Sequence, residues 1–406
     1  MAGRRAPYAG AMTSYVTHLA CSRCAANHEA RIEQHVCTSC GGPLYVEYDL
    51  GRIRDSLRPS DLTDRPPTMW RYRELLPLTD PTNLVSMGEG FTPLVRAPGL
   101  ARRLGLRDLW VKDEAHNPTG TFKDRGASSG LSVAREFGIT EFSVPSLGNA
   151  GGSWACYGAA AGVSVHVTLP TGASELCRAE VLACGAELIV SGATLPEAAA
   201  TAADRAGTAG WYDAATWREP YRLDGKRTLG LEIAEQLGWS MPDVVVYPTG
   251  GGIGVVAIRR ALLQLRQLGW VAGDLPRLVA VQAEGCAPVV KAVEEGAGTT
   301  EMWPDVRTIA SGIGVPASPG HPLVLEAIRE TGGTAVSVTD HEMLEALVLT
   351  AAETGILPCP EGAATLAALP KLRDAGAIDP AERIVAVSTG TGLRYPEAMR
   401  SATSAR

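Results

Sequence analysis

The sequence predicts an α/β protein with two parallel-sheet α/β/α domains and a small metal-binding ribbon at the N-terminus. Short apolar runs without alternation, at 243–247, 278–282 and 383–387, are separated by helical patterns. Such runs are typical of parallel strands that are covered on both faces. Two Cys-x-x-Cys pairs stand ahead of this alternation and suit a tetrahedral metal ion.

Composition limits the classes of protein that the chain can belong to. Its 406 residues are enough for two or three domains, and its net charge of -7 gives no basic surface for nucleic acid. No segment approaches the roughly 20 uninterrupted apolar residues that span a bilayer. We therefore expect a cytoplasmic protein with neither a nucleic acid nor a membrane as partner.

The ribbon is predicted over residues 13–48, after an N-terminal tail at 1–12. Its metal ligands are the four cysteines of the two pairs, which twelve residues separate: Cys21, Cys24, Cys37 and Cys40. Four thiolates fill every position of a tetrahedral Zn²⁺ and leave none open for catalysis, so the zinc is expected to be structural. A unit this small has little core, and metal binding should supply its folding energy.

The remaining chain alternates strands and helices. Strands are predicted at 109–112, 142–145, 163–169, 187–190, 243–247, 278–282 and 383–387. Helices are predicted at 123–137, 150–161, 174–184 and 195–206. Ligands of open parallel sheets bind beyond the carboxyl ends of the strands, so the loops that follow these strands are expected to carry the chemistry.

Lys123 is the candidate catalytic residue. It ends the run Asn117-Pro-Thr-Gly-Thr-Phe-Lys, which follows the strand at 109–112, and it begins the next helix. A lysine at a helix start lies among free N–H groups at the positive end of the helix dipole. With desolvation, that environment favours the neutral amine, the form that makes an imine.

Three further loops follow predicted strands and are rich in small residues: 146–152, 248–254 and 388–392. The consecutive glycines Gly250, Gly251 and Gly252 precede a helix, where their N–H groups can cradle a phosphate. Neither a G-x-G-x-x-G spacing nor a nucleotide-loop lysine is present in this loop, which disfavours NAD and nucleotides.

These motifs together resemble the threonine synthase family, in the tryptophan-synthase-β-like group of pyridoxal-phosphate folds. The run 117–126 is similar to the family's cofactor-lysine motif, and 87–94 is similar to its substrate loop. The motifs occur in family order from about residue 70 to residue 395. The resemblance implies pyridoxal 5'-phosphate held as a Schiff base on Lys123, an amino-acid substrate and a homodimer.

The resemblance also implies residue roles. Asn149 would contact the phenolic oxygen of the cofactor, Thr389 would face its pyridine nitrogen with Ser388 as the fallback, and Arg222 would grip a substrate phosphate. The implied cofactor-binding set is Phe122, Lys123, Asn149, Gly250, Gly251, Gly252, Ile253, Gly254 and Thr389. The implied substrate-binding set is Thr92, Ser146, Gly148, Ala150 and Arg222.

The sequence also predicts the domain boundaries and the exposure of two charged residues near Arg222. The large cofactor domain is predicted at 49–110 and 210–406, and the small α/β domain at 111–209. Lys226 and Arg227, which lie close to Arg222 in the chain, are expected to be surface charges.

The reaction implied is that of threonine synthase, the conversion of O-phospho-L-homoserine and water to L-threonine and phosphate. Two departures keep an alternative open: Ala150 follows Asn149 where the family often has Thr, and Cys359-Pro-Glu361 replaces the commoner Glu-Pro pattern. The alternative is β-elimination or β-replacement on serine, threonine or their O-phospho derivatives, as in a dehydratase or a cysteate-synthase-like enzyme. A binding protein that keeps the fold without the chemistry is a third reading.

Overall fold

The computed structural model describes residues 14–404, so the tail predicted at 1–12 lies outside the described residues. The strands, in chain order, are β1 Val16–Cys21, β2 Asn27–His28, β3 Leu44–Tyr48, β4 Leu94–Arg96, β5 Asp108–Asp113, β6 Glu141–Pro145, β7 Ser164–Leu169, β8 Glu187–Val190, β9 Tyr212–Asp213, β10 Val244–Pro248, β11 Arg277–Ala283, β12 Thr334–Val338 and β13 Arg383–Ser388.

The helices, in chain order, are α1 Leu50–Ser56, α2 Pro98–Arg103, α3 Lys123–Glu136, α4 Asn149–Ala161, α5 Glu175–Ala183, α6 Leu195–Ala209, α7 Tyr221–Gln236, α8 Ile253–Leu268, α9 Pro288–Glu294, α10 His321–Glu330, α11 Asp340–Thr354, α12 Pro360–Asp374 and α13 Pro396–Ser404. Short 3-10 helices lie at Pro59–Leu62, Met69–Leu75, Pro81–Asn83, Glu114–His116, Ser311–Ile313 and Gly392–Arg394. Across residues 14–404, none of the helices combines the length and the apolar character that crossing a bilayer requires.

The described chain divides into two compact units. The first unit comprises residues 14–91 and 123–228, and the second comprises 92–122 and 229–404. The domain boundaries predicted from the sequence stay a prediction, because a compact unit is defined by its contacts and not by independent folding.

The first unit contains two sheets. In the ribbon, β1 pairs antiparallel with both β2 and β3. A second sheet has the strand order β8-β7-β6-β9 and is entirely parallel. Its core is built from apolar residues of this sheet and of α3 and α4, among them Leu131, Val144, Trp154 and Val167.

The second unit is built on a six-stranded sheet with the order β12-β11-β10-β13-β5-β4. Every neighbouring pair is parallel except the edge pair of β4 with β5. The register aligns Ser388 at the end of β13 with Asp113 at the end of β5. The loops that follow β5 and β13 therefore leave the same edge of the sheet.

The α/β fold class predicted from the sequence is confirmed, and each predicted strand and helix occurs with ends shifted by a few residues at most. Helix α6 shows why the sequence predicts where a helix begins and ends. Thr194 accepts a hydrogen bond from the N–H of Glu197, the Glu197 carboxylate accepts one from the N–H of Thr194, and Gly210 ends the helix at φ +72°. The loop 87–94 was predicted to end in a short extended piece, and β4 begins there at Leu94. Its bounds could not be predicted, because three residues give no period to detect.

Helix α3 and the first two turns of α7, which both lie in the first unit, cross at glycines. A Cβ atom on Gly225 of α7 would overlap the carbonyl oxygen of Arg125 on α3. A Cβ atom on Gly126 of α3 would lie 2.9 Å from Nζ of Lys226 on α7. The two backbones therefore approach more closely than any larger residue at these positions permits.

Candidate active site

Lys123 is the first residue of α3 and is half-buried. The chain passes from the second unit to the first between Phe122 and Lys123. The structure thus places the predicted catalytic lysine at a helix start, as the sequence indicated. Its bond to a cofactor stays a prediction.

Ser146 shapes the loop between β6 and α4. Its Oγ accepts hydrogen bonds from the N–H groups of Gly148 at 3.0 Å and Gly151 at 2.9 Å. Gly148 has φ +149°, and a Cβ atom there would lie 2.6 Å from Sγ of Cys177. Only glycine fits this position. Helix α4 begins at the next residue, Asn149, and Ala150 is its second residue.

The glycine loop between β10 and α8 is held from behind by two side chains of the second unit. Nε2 of His321 lies 2.9 Å from the carbonyl oxygen of Gly250, and Oγ of Ser318 donates to that of Gly251 at 2.9 Å. In a trans peptide the C=O and the following N–H point in opposite directions. The N–H groups of Gly251 and Gly252 are therefore turned away from His321 and Ser318.

The start of α8 adds to this arrangement. Gly252 is its N-cap residue, has φ +84° and offers no side chain to cap the helix. The first N–H groups of a helix need an acceptor, and an anion supplies one. The loop containing Gly250, Gly251, Gly252, Ile253 and Gly254 therefore fits a phosphate group.

Phe122 and Thr389 lie together in the second unit. The N–H of Phe122 donates to the carbonyl oxygen of Thr389 at 3.0 Å, and the Phe122 ring meets that of Tyr247 edge to face at 6.1 Å. The hydroxyl of Tyr247 contacts the glycine loop, since a Cβ atom on Gly254 would overlap that hydroxyl. The second unit thus brings Phe122, Thr389 and the glycine loop into one neighbourhood.

The hydroxyl of Thr389 has a thiol neighbour. Oγ1 lies 3.6 Å from Sγ of Cys359, which also caps α12 by accepting the N–H of Gly362 at 3.3 Å. Burial raises the pKa of the Cys359 thiol well above its usual range, so it stays protonated. Glu361 is engaged elsewhere, since its Oε1 accepts from Tyr395 and from the N–H of Gly312, both at 2.7 Å.

Thr92 is engaged with other residues of the second unit. Its hydroxyl donates to Oε1 of Glu114 at 2.5 Å, and its carbonyl oxygen accepts from Nζ of Lys112 at 2.7 Å. Lys112 also forms a buried ion pair with Glu232 at 2.8 Å. These contacts fix the position of Thr92, and its predicted contact with substrate stays a prediction.

Arg222 is buried on the first turn of α7. One Nη donates to the carbonyl oxygen of Ala214, and the guanidinium lies 5.4 Å from the centre of the Trp154 ring. Its Nε has no hydrogen-bond partner among the described residues. Burial lowers the pKa of Arg222 to about 10, although Glu219 opposes the shift.

Glu219 is a buried carboxyl group that the sequence analysis did not single out. It accepts hydrogen bonds from the N–H groups of Arg222 at 2.6 Å and Tyr221 at 3.1 Å, and from the Tyr212 hydroxyl at 3.2 Å. Burial nevertheless raises the pKa of Glu219 to about 7, against the attraction of Arg222.

The expectation that Lys226 and Arg227 are surface charges is wrong. They are 2% and 1% exposed. Arg227 pairs with Asp224 at 2.9 Å and lies over the ring of Tyr48, while Lys226 lies against Gly126. The close helix crossing buries Lys226, whereas Arg227 is buried against Tyr48 of the ribbon. A charge pattern along one helix reveals neither contact.

Glu89 is a second buried carboxylate that the sequence analysis gave no role, although it lies in the loop 87–94. Its two oxygens accept from Trp70 at 2.9 Å, Ser128 at 2.6 Å, Tyr157 at 2.7 Å and the N–H of Met87 at 2.9 Å. One side chain thereby ties the loop to α3 and α4 of the first unit.

The four cysteines of the ribbon converge. Their sulfur atoms all lie within 4.8 Å of one another. Sγ of Cys21 lies 3.4 Å from that of Cys40, and Sγ of Cys24 lies 3.6 Å from that of Cys37. A tetrahedral zinc with bonds of about 2.3 Å needs sulfurs about 3.8 Å apart, so the donor set fits this ion.

The ribbon is joined to α7. The hydroxyl of Tyr48, at the end of β3, donates to Asp224 at 2.8 Å, and the ring of His35 lies 4.7 Å from that of Tyr212. The four-cysteine cluster therefore belongs to the unit that contains Lys123 and Arg222, and Tyr48 of the ribbon contacts the helix on which Arg222 lies.

Sequence comparisons agree with this arrangement. The family described as "Pyridoxal-phosphate dependent enzyme" matches residues 85–390. The threonine synthase of Methanocaldococcus jannaschii is 36% identical over 378 residues, which cover 93% of each chain. The threonine synthase of Methanosarcina acetivorans is 36% identical over 381 residues, covering 94% of this chain and 93% of its own.

Solved structures agree in fold. The processed form of threonine deaminase isoform 2 from Solanum lycopersicum superposes with a TM-score of 0.65 at 23% identity. That match covers 77% of this chain and 87% of the deaminase. At this identity the likeness concerns the fold alone.

We predict that Glu219 makes stability depend on pH. Its pKa is raised from 4.5 to about 7, so the unfolded chain ionises first and the folded state loses stability as the pH rises through this window. Between pH 4.5 and about pH 7, the free energy of unfolding of the wild type should fall by at most about 3 kcal/mol relative to that of Glu219→Gln. Urea midpoints at a series of pH values measure the difference.

Glu345→Gln is the matched control, because the Glu345 side chain is 68% exposed. It should follow the wild type at every pH. Parallel curves for the wild type and Glu219→Gln would show that Glu219 is ionised in the folded state throughout.

Proposed function

The chain belongs to the threonine synthase family of pyridoxal-phosphate dependent enzymes, and from this premise we propose that it converts O-phospho-L-homoserine and water to L-threonine and phosphate. The observation that carries the proposal is the 36% identity to two threonine synthases over more than nine-tenths of each chain. Identity of this extent supports a shared substrate more strongly than a shared fold does.

The residues of the glycine loop support the cofactor assignment. An uncapped 16-residue helix begins at Ile253, and the carbonyl groups of Gly250 and Gly251 are held by His321 and Ser318. We assign the cofactor phosphate to the N–H groups of this loop. Pyridoxal phosphate, when bound, supplies an electron sink for negative charge at the substrate Cα.

Thr389 is proposed to face the pyridine nitrogen. Its hydroxyl lies 3.6 Å from the protonated thiol of Cys359, and no carboxylate hydrogen bond to that hydroxyl is seen in the described residues. A hydroxyl partner, unlike a carboxylate partner, leaves the pyridine nitrogen largely unprotonated. The cofactor is then a weaker electron sink than it is when a carboxylate faces that nitrogen. A weak sink suits elimination and addition, which both candidate reactions require.

Lys123 is proposed to bind the cofactor and to move protons. As a free amine it would remove the proton from the substrate Cα, and it would be the general base of the reaction. Asn149 would contact the phenolic oxygen of the cofactor, while Ser146, Gly148 and Ala150 would hold the substrate carboxylate with the N–H groups that begin α4.

Arg222 is proposed to bind the substrate phosphate. Its buried guanidinium keeps one N–H without a protein acceptor among the described residues. A guanidinium presents paired donors that suit phosphate oxygens, and the burial of its charge makes an anionic partner favourable. A neutral hydroxyl substrate could not offer the same compensation.

We also propose that the ion in the ribbon is a structural Zn²⁺, that the enzyme is a cytoplasmic homodimer, and that Cys21, Cys24, Cys37 and Cys40 close the metal's coordination sphere. The separations of the four sulfurs support zinc. Because Tyr48 joins the ribbon to Asp224, the zinc would act on the enzyme through the position of α7.

The substrate is tested by supplying O-phosphohomoserine, O-phosphoserine, serine and threonine separately to the purified enzyme. We expect phosphate and threonine from the first compound, with a kcat/KM at least about tenfold above that for any other. Phosphate is measured by colour assay, and the amino-acid product by mass spectrometry. Turnover of serine or threonine alone to a keto acid would instead establish the β-elimination alternative.

We predict that Arg222→Ala raises KM for the phosphorylated substrate roughly ten- to a hundredfold, because a charge-assisted hydrogen bond is lost. KM for any unphosphorylated substrate should change far less. Arg218→Ala is the matched control, since Arg218 lies on the same segment with a side chain that is 50% exposed. Equal changes in KM for both kinds of substrate would contradict the role of Arg222.

We predict that the purified protein holds about one zinc ion per chain and that Cys37→Ser loses it. The variant should melt at a lower temperature and turn over more slowly, because the contact between Tyr48 and α7 loosens. Cys184→Ser, outside the ribbon, should keep its zinc. Metal content is measured by atomic emission, and a wild-type protein that folds and turns over fully without metal would refute the assignment.

A further inference from the structure

Helices α4 and α5 of the first unit face each other along one row of positions on each helix. Residues three or four apart lie on the same face of a helix. On α4 and at its N-cap, the row has a spacing of four and consists of Gly148, Gly152 and Cys156. On α5 and at its C-cap, the row has spacings of three and four and consists of Cys177, Glu180 and Cys184.

The first two positions of the rows are in close contact because α4 has glycines there. A Cβ atom on Gly148 would lie 2.6 Å from Sγ of Cys177, and one on Gly152 would overlap the carboxylate of Glu180. The two helices are therefore packed as closely as the side chains of α5 allow.

The third position of the rows brings two thiols together. Sγ of Cys156 lies 2.9 Å from Sγ of Cys184. Neither cysteine is in a disulfide, and both side chains are half-buried. Cys184 also packs against the apolar core of the first unit, which fixes the position of its sulfur.

The separation of these sulfurs is close to that of a covalent bond. The bond in a disulfide is about 2.05 Å long, so the two sulfurs need to approach by less than about 1 Å. Cys177 is the other cysteine of the α5 row. It precedes Cys184 by seven residues, or about 10 Å along a helix axis, and it lies against Gly148 instead.

We propose that Cys156 and Cys184 are a reversible modification site, at which a small organic disulfide oxidises the two thiols to a disulfide bond that fastens α4 to α5. Under reducing conditions both residues stay thiols. The proposal does not depend on the reaction that the enzyme catalyses, because the pair lies in the packing of the first unit.

The two sulfurs have different tasks in the oxidation. Burial, the neighbouring Cys184 and the negative charges of Glu180 and Asp124 raise the pKa of the Cys156 thiol well above its usual range. A thiolate, which is the attacking form, is therefore costly to form at Cys156. We assign the first attack to Cys184.

The exchange proceeds in two steps. The Cys184 thiolate attacks one sulfur of the small disulfide, whose sulfur–sulfur bond breaks, so that one organic thiolate leaves and a mixed disulfide remains on Cys184. Cys156 then gives its proton to water and attacks the sulfur of Cys184, and the second organic thiolate leaves. Two protein thiols are oxidised, one small disulfide is reduced, and the two protons released end on the two organic thiols.

The test exposes the full-length purified protein to hydroxyethyl disulfide, blocks the remaining thiols with iodoacetamide and maps the digested protein by mass spectrometry. We expect a peptide pair joined through Cys156 and Cys184, with two hydrogen atoms fewer than the separate peptides. The bond spans 28 residues of chain and restricts the unfolded state, so the melting temperature should rise by on the order of 4 °C. Dithiothreitol should reverse both changes.

Three variants separate the possible outcomes. In Cys156→Ser the oxidation should stop at a mixed disulfide on Cys184, without the rise in melting temperature, and Cys184→Ser should form no cross-link. Cys286→Ser is the matched control, because it removes a buried thiol of the second unit and should leave the cross-link unchanged.

The peptide map of the wild type decides the proposal even where a variant folds poorly. If both Cys156 and Cys184 are still alkylated after prolonged oxidation, or each carries its own small thiol, the pair does not form a disulfide. A bond from either sulfur to Cys177 or to a cysteine of the ribbon would equally overturn the assignment.

Discussion

The close crossing of α3 and α7 is the constraint on which the candidate site of the first unit depends. Gly126 and Gly225 bring the two backbones together, and a methyl group at either position would displace Lys226 or overlap Arg125. Because the crossing is tight, Lys226 and the Cβ atom of Arg222 lie against Gly126 near the start of α3, and both residues are buried. The same crossing therefore places two cationic residues of α7 on the turn of α3 that begins at Lys123.

The second unit obeys a different constraint, that of a parallel sheet. Strands β5, β10 and β13 are adjacent, so the loops that follow them emerge at one edge, and the motifs read from the sequence lie in those loops. This much could be predicted, because apolar runs without alternation identify buried parallel strands, and glycines after such runs identify the loops. The convergence of the four cysteines could also be predicted, since two Cys-x-x-Cys pairs at this spacing are typical of a tetrahedral metal site.

Other features had no local signal. The side chains of His321 and Ser318 orient the glycine loop from a segment about 70 residues away, and nothing near either residue indicates that contact. Glu89 and Glu219 look like surface acids in the sequence, yet both are buried by tertiary packing. Lys226 was misjudged for the same reason. Burial of a charge is decided by which helices meet, and a single sequence does not state where helices meet.

The central claim is that Lys123 at the start of α3 carries the cofactor. The most direct measurement is to reduce the purified holoenzyme with borohydride, digest it and locate the modified lysine by mass spectrometry. Modification confined to the peptide containing Lys123, at about one group per chain, is the predicted result. Modification of Lys226 or of an exposed lysine, with Lys123 unmodified, would contradict the account.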